Sequence, residues 1–580
     1  MNKLRSLLRS FTLTAARVTP ICRNPLAAAA TLVLFATAIT SASLANAQGV
    51  ELSRADRLAI LYTPQLQFAP GGEPLIKIGL VDGASTVRFE ASTAVDILPL
   101  GPGGPEIQLP ADTTFTVEID EGTAGTYQHR VTVAELTPDQ RSEVLGDVRA
   151  AWSARGYEVS TTEVGSIFAI AGRRFDTRKT LVVLPASESA EVAQELANAL
   201  TLEFGIDARV HSELDDYPGC TLHMSGIPGG VRISHRDLLF VRGERDTVFT
   251  VYDVPYDVGT RNEGTETRRY HGALYFTADR NGRLALVNEL PIEELLASVV
   301  ASEIYASAPD DALRAQAVAA RSELLTDLGV RHLADPWMTC SDQRCQVYRG
   351  ISIQDSRTTA AVDATRGFVL TDGDQIIKAY YSSNNGGFAG SNSTTWGEAQ
   401  RPYLRARLDA ADGDERFANG LQDESALRTF LDDPPDSLSN ISSFGSGRNF
   451  RWQVTLTAAE LTTAVAARQD IGRVISLSVV ERDFSGRVTR LQIDGTSGSV
   501  TVERELNVRR TLGGLRSALF AMDVRYGSDG NLSSVILNGA GFGHGVGLCQ
   551  SGAIGAAERG WGWEDILANY YPDTTLRTLY

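Results

Sequence analysis

Hydrophobic periodicity changes twice along this chain, and neither a purely helical nor a purely β fold accommodates both changes. At 74–118 apolar and polar residues alternate, as in Leu75-Ile76-Lys77-Ile78-Gly79-Leu80 and Thr86-Val87-Arg88-Phe89-Glu90. A period of two is the signature of strands with one face buried. Gly101-Pro102-Gly103-Gly104-Pro105 supplies a turn. Near residue 125 the pattern switches. A strand-like Tyr127 to Val133 leads into Thr137-Pro138-Asp139-Gln140, an N-cap with proline at the first helical position, and a helical run to Arg155 stops at Gly156. Extended pieces at 157–162, 167–171 and 180–184 precede a second helix at 187–204, ended by Gly205, and 207–211 is extended again. This β-α-β-β-α-β order is a split βαβ (ferredoxin-like) unit. From about 225 strands return, interrupted by helices at 291–304 and 310–328. The expected class is α+β, with a mostly β domain carrying a few helices and an inserted α/β module. The expected segments are 1–47, 48–124 as an N-terminal β segment, 125–225 as the module and 226–580 as the main domain.

The first segment reads as an address. Lys3, Arg5, Arg9, Arg17 and Arg23 precede an uncharged apolar run at 26–40, and Ala45-Asn46-Ala47 offers small residues at a cleavage position. The run is short of the roughly 20 residues a spanning helix needs. Export with cleavage after Ala47 is expected, to the periplasm or cell wall, with an uncleaved anchor as the alternative. No later stretch is long and apolar enough to span a bilayer. The formal net charge of −17 argues against nucleic acid as the main partner, because phosphate binding needs a basic surface.

The helix at 291–304 carries the sharpest chemical signal. At about 100° per residue, Ile292, Leu295, Leu296, Val299 and Val300 form one stripe. Glu303 falls on that stripe, and Glu293 and Glu294 are expected to point away from it. A carboxyl at the end of an apolar face is costly to ionise, so its pKa rises into the range of a general acid. The competing reading is that the helix is ending and Glu303 reaches solvent. On the next helix Leu313, Ala317, Ala320, Leu324 and Leu328 form the buried stripe, flanked by Gln316 and Arg321, which either point to a cleft beside Glu303 or edge a solvated face.

These segments resemble the stage II sporulation protein D/LytB family. The likeness is carried by Asn288-Glu289-Leu290-Pro291, Val299-Val300-Ala301-Ser302-Glu303 and Ala315-Gln316-Ala317-Val318-Ala319-Ala320-Arg321. It continues through Cys345-Gln346-Val347-Tyr348-Arg349-Gly350, Ala379-Tyr380-Tyr381-Ser382-Ser383-Asn384-Asn385-Gly386-Gly387 and Trp396-Gly397. It closes with Gly541-Phe542-Gly543-His544-Gly545-Val546-Gly547 and Tyr570-Tyr571-Pro572. The resemblance implies a peptidoglycan lytic transglycosylase acting on glycan strands stripped of stem peptides, with the acid after Val-Val-x-Ser, Glu303, as the catalytic residue. The alternative it carries is the family's other role, a non-catalytic enhancer of a cell-wall amidase. The module at 125–225 resembles the SPOR peptidoglycan-binding domain in element order and size, and an inserted α/β domain of another role fits the same order.

Substrate-binding candidates are Arg321, Tyr380, Tyr381, Ser382, Ser383, Gly386, Gly387, Trp396, His544 and Gln550. Aromatic faces and hydroxyls suit sugar rings, and glycines let backbone approach. His332, Cys340 and Cys345 lie close in sequence, and two readings stand: three ligands of one structural zinc, or a Cys340–Cys345 disulfide. At Leu548-Cys549-Gln550-Ser551 the chain departs from the family, where a serine and a tyrosine are more usual. Cys549 and His544 make a Cys–His hydrolase a remote alternative.

Overall fold

The structure, a computed structural model, describes residues 54–580 apart from 63–65, 99–105, 171, 205, 207, 257–262, 343–344, 411, 442 and 446. The stretch read as an export signal, the turn expected at 101–105 and the helix stop expected at Gly205 lie outside the described residues. What is described is an α+β fold.

Two antiparallel sheets pack face to face. One runs Gln67–Phe68, Pro74–Ala84, Leu284–Pro291, Ala273–Ala278, Leu238–Arg242, Val95–Leu98 and Ile107–Leu109, with Thr339–Cys340 added in parallel beside Pro74–Ala84. The other contains Thr86–Ala91, Phe115–Thr123 and Gly219–Ile227 among its six strands. Alternation decides which way each residue faces. Leu239 and Val241 enter the main core with Phe89, Phe115 and Phe276, while Leu238 and Phe240 turn to a smaller cluster with Leu61 and Trp337.

Thr123 lies opposite Gly219 on neighbouring strands, so the chain can leave and re-enter there without breaking the sheet. The module between them consists of β1 (Thr126–Leu136), α1 (Pro138–Ala154), β2 (Ser160–Val164), β3 (Lys179–Val183), α2 (Ala190–Phe204) and β4 (Arg209–Asp216). Its sheet runs β4-β1-β3-β2 with every neighbour antiparallel. Thr137 and Gln140 form a reciprocal capping box at the start of α1, and Gly156 takes the left-handed φ of 84° beyond its end. Sequence periodicity did not separate the hairpin Ile167–Ile170/Arg173–Asp176 between β2 and β3. That hairpin reaches out of the module: Phe175 is buried in the main core, and Arg173 donates to the Thr578 carbonyl at 2.8 Å. The module's sheet also packs Val164, Leu181 and Val183 against Val330 and Leu333. It is therefore anchored at two places beyond its own connections.

The helices that matter for function are α3 (Ile292–Glu303), α4 (Asp310–Asp327) and α5 (Gln550–Glu558). The stripe on α3 is buried as expected, and alanines on α4 are buried against their neighbours. Glu293 departs from expectation. It does not face solvent but is 5% exposed, and Arg321 on α4 is wholly buried against it. The guanidinium meets the carboxylate twice, Nε to Oε1 at 2.9 Å and Nη2 to Oε2 at 2.5 Å, and Nη1 reaches the Phe368 carbonyl at 3.0 Å. Glu293 also accepts from the Gly367 amide at 3.0 Å and from the Tyr580 hydroxyl. Residues beyond 450 build a second core around Trp452, Leu461, Val488 and Leu537. No helix among the described residues is long and apolar enough to cross a membrane.

Removing one partner of a buried, hydrogen-bonded ion pair leaves an uncompensated charge. Arg321→Met should lower unfolding stability by about 3–5 kcal/mol, read from urea denaturation. Adding Glu293→Gln to it should recover part of the loss.

Candidate active site

Helix α3 ends at Glu303 because Ile304 turns extended, with φ −132° and ψ 151°, and α4 begins only after Pro309. Glu303 thus sits at a helix C-terminus, on a cleft of about 480 Å³ lined also by Tyr305, Ser383, Phe444, Gln550, Ser551 and Ile554. Parallel pairing of Tyr381–Ser382 with Leu548–Cys549 brings the far walls together. Ser551 donates to the Ser383 carbonyl from both its amide, at 3.0 Å, and its hydroxyl, at 2.9 Å. Gln550 donates to the side-chain carbonyl of Gln316, fully buried on α4, at 3.4 Å.

Burial raises the Glu303 pKa, and a hydrogen bond from the Val347 amide only partly opposes it. The helix end adds to the same direction, since its exposed carbonyls repel negative charge. Burial, and next the Glu303 carboxyl, hold the Tyr381 phenol well above its ordinary value. Among the described residues lining the cleft, Glu303 is the only acid.

The other expected binding residues build the frame. Tyr380 donates to Glu398 at 3.0 Å and stacks on Trp396 with ring centroids 4.2 Å apart, and His544 lies 5.0 Å from Trp396. Burial, with Arg487 and Arg509 behind it, pushes the His544 pKa down to about 3, and its Nδ1 accepts from the Val546 amide. A neutral, internally bonded ring in an aromatic cluster supports the wall rather than lining the cleft. Gly386 and Gly387 are buried with φ of 75° and 95°, and a Cβ on Gly386 would meet the Gly541 amide at 2.8 Å. They permit close backbone packing, not substrate approach. Ser382 is buried, and Arg321 is spent on Glu293. Sequence reasoning passed over Tyr305, Phe444 and Ser551. Tyr305 was visible as an aromatic two residues past the acid, whereas Phe444 arrives from a distant loop without periodicity.

Cys549 is no nucleophile. Its thiol is 1% exposed and accepts from the Asn385 and Gly552 amides, both at 3.3 Å, as the cap of α5. Burial pushes its pKa well up, which withholds the thiolate that reactivity requires. Cys340 and Cys345 are joined in a disulfide, with His332 Nε2 3.2 Å from the Cys345 sulfur. The ligand atoms of His332, Cys340 and Cys345 all lie within 4.8 Å of one another, but a disulfide offers no thiolate to a metal.

Residues 280–371 match the family model described as stage II sporulation protein, and that span contains α3, Glu303 and α4. Over that span the chain is similar to the stage II sporulation protein family. Residues 390–547, which hold Trp396, Phe444 and the second core, match a domain of unknown function (DUF8618). The chain is similar to an amidase enhancer of Bacillus subtilis, 28% identical over 48% of this chain and 40% of that protein. It therefore spans well under half of that relative. Similarity also extends to stage II sporulation protein D of Bacillus subtilis, 26% identical over 52% of this chain and 78% of that protein. An uncharacterised protein of Brachyspira hyodysenteriae is 26% identical over 52% of this chain and 70% of its own length.

A non-reduced digest of the protein should yield Cys340 linked to Cys345, with Cys220 and Cys549 alkylated only after unfolding. Cys549→Ser keeps a helix cap and should leave function unchanged. A catalytic cysteine would instead abolish it.

Proposed function

We propose that this chain is an exported cell-wall enzyme that cleaves peptidoglycan glycan strands stripped of stem peptides, as a lytic transglycosylase with Glu303 as general acid/base. The observation supporting this is one half-buried carboxyl in a cleft of hydroxyl, amide and aromatic groups, with no second acid among the described lining residues. Hydrolytic glycosidases need two carboxyls, one for the leaving group and one for water or the sugar carbon. A lone acid suffices when the sugar supplies its own nucleophile. Glu303 gives its proton to the glycosidic oxygen as the C1–O bond breaks. The carboxylate then takes a proton from the C6 hydroxyl as that oxygen closes on C1, leaving an anhydro end and the acid restored. Burial raises the Glu303 pKa, a shift in the direction that favours the protonated carboxyl this step needs.

The second reading is a non-catalytic enhancer of a cell-wall amidase, favoured by the similarity to a protein of that name. Mass spectrometry of stripped glycan strands treated with the pure protein separates the two. Anhydro ends support the enzyme, while no new ends together with stimulation of an added amidase support the enhancer. Glu303→Gln should reduce cleavage at least about a hundredfold, the usual general-acid contribution. Near-normal cleavage would remove Glu303 from the mechanism.

Because the folded pKa of Glu303 is raised, its stability contribution is full in acid and lost as pH climbs from the ordinary carboxylate range through the raised value. Glu303→Gln should therefore match or exceed the parent's melting temperature at alkaline pH and lose that advantage in acid. We also infer a zinc site for the reduced state of the Cys340–Cys345 pair. His332 Nδ1 is hydrogen-bonded to Asp335 at 2.9 Å, the outer-shell arrangement that orients a ligating imidazole. Elemental analysis should find roughly one zinc per chain after anaerobic reduction, and none would dismiss the site.

A further inference from the structure

The cleft carries a feature that acid chemistry alone does not use. Tyr305 is 60% exposed, although it lies two residues from Glu303 on the same cleft. The Ala308 amide donates to the Tyr305 carbonyl at 2.9 Å, closing a turn between α3 and α4, and Arg357 fastens that turn through the Ala306 carbonyl at 3.1 Å. The ring is stacked nearly parallel on Phe444, with centroids 5.4 Å apart and planes 23° from each other. Phe444 holds φ 57° and ψ 22°, the left-handed region that a residue with a Cβ rarely adopts. Scattered exposed aromatics need no explanation. A stacked pair does when one member sits on strained backbone and both border the only acid among the described lining residues.

We propose that Tyr305, backed by Phe444, is the platform that holds an N-acetylhexosamine ring beside the scissile bond. The C–H face of a pyranose is apolar and flat, whereas its hydroxyl and acetamido edges are polar. Tyr305 presents an open aromatic face for the first, and Ser383 and Gln550 on the same cleft offer partners for the second. Phe444 fixes the plane of Tyr305, so that the ring is ordered before a strand arrives. The backbone conformation of Phe444 is the cost of placing its ring there. This inference rests on the glycan reading above. It adds that substrate is chosen by stacking in a subsite built jointly by the α3–α4 turn and the loop at 443–445.

Binding of tetra-N-acetylchitotetraose and of amidase-stripped glycan strands to the full-length chain carrying Glu303→Gln tests it without turnover. Tyr305→Ala should weaken binding about five- to tenfold, the usual worth of one aromatic contact, and Tyr305→Phe and Tyr305→Trp should retain it. In the active chain, Tyr305→Ala should raise KM by a similar factor with kcat little changed. Phe444→Gly gives the opposite signs that a structural role would not. Glycine relieves the left-handed backbone, so the melting temperature should hold or rise while glycan binding falls. Equal binding by Tyr305→Ala and Tyr305→Phe, or a stability loss in Phe444→Gly without a binding loss, overturns the platform. If the parent chain still forms anhydro ends in that case, the Glu303 reading stands alone. Failure of the parent to bind or cleave either glycan overturns both.

Discussion

The geometry of the candidate site depends on the buried ion pair between Glu293 and Arg321. Two hydrogen bonds join α3 to α4, and the same two side chains reach the backbone at 367–368 and the C-terminal Tyr580. The planar guanidinium matches a carboxylate in one orientation only, so the pair fixes how the two helices sit along each other. Apolar packing alone would not do so, because the facing stripes of leucine, valine and alanine are chemically alike along their length. Helix α3 is held near its first turn, and Glu303 projects from its last.

That arrangement explains how one carboxyl acquires its character. The stripe Leu295–Leu296 to Val299–Val300 buries the helix up to its end, where Ile304 breaks into extended chain. Glu303 is the first residue of the stripe to meet a cleft instead of the core. It inherits desolvation from the stripe and access from the break. Gln316, buried on α4, meets Gln550 at the start of α5, so the polar wall opposite is positioned from the same helix pair.

Much of this was legible in the sequence. Thr137 and Gly156 bracketed α1 correctly because caps and left-handed glycines act locally. The stripe on α3 followed from helical geometry alone, which left Glu303 between a cleft wall and solvent, and the structure puts it on the cleft. Legibility failed where a side chain's role depends on a distant partner. Arg321 looked like a cleft residue because a lone arginine at a helix edge faces water unless something buried neutralises it. Glu293 does so from another helix. Tyr380, Trp396 and His544 looked like a sugar surface, yet they pack on one another, Tyr380 stacked on Trp396 and His544 edge-on to Tyr380 and tilted against Trp396. Aromatic residues satisfy either role with the same atoms.

The sequence by itself determined the α+β class, the mixed strands and helices that run from Thr126 to Asp216, and an acid at the end of an apolar helix face. Each rests on periodicity or capping, which are properties of neighbouring residues. Only the tertiary structure decided that Arg321 is structural, that Cys549 is a buried cap, that Cys340 and Cys345 are bonded, and that Phe444 joins Tyr305 at the cleft. Those outcomes turn on which groups burial brings within a few ångströms of each other. Charge neutralisation, thiol ionisation and ring stacking all vary steeply with that distance, and separation along the chain does not encode it.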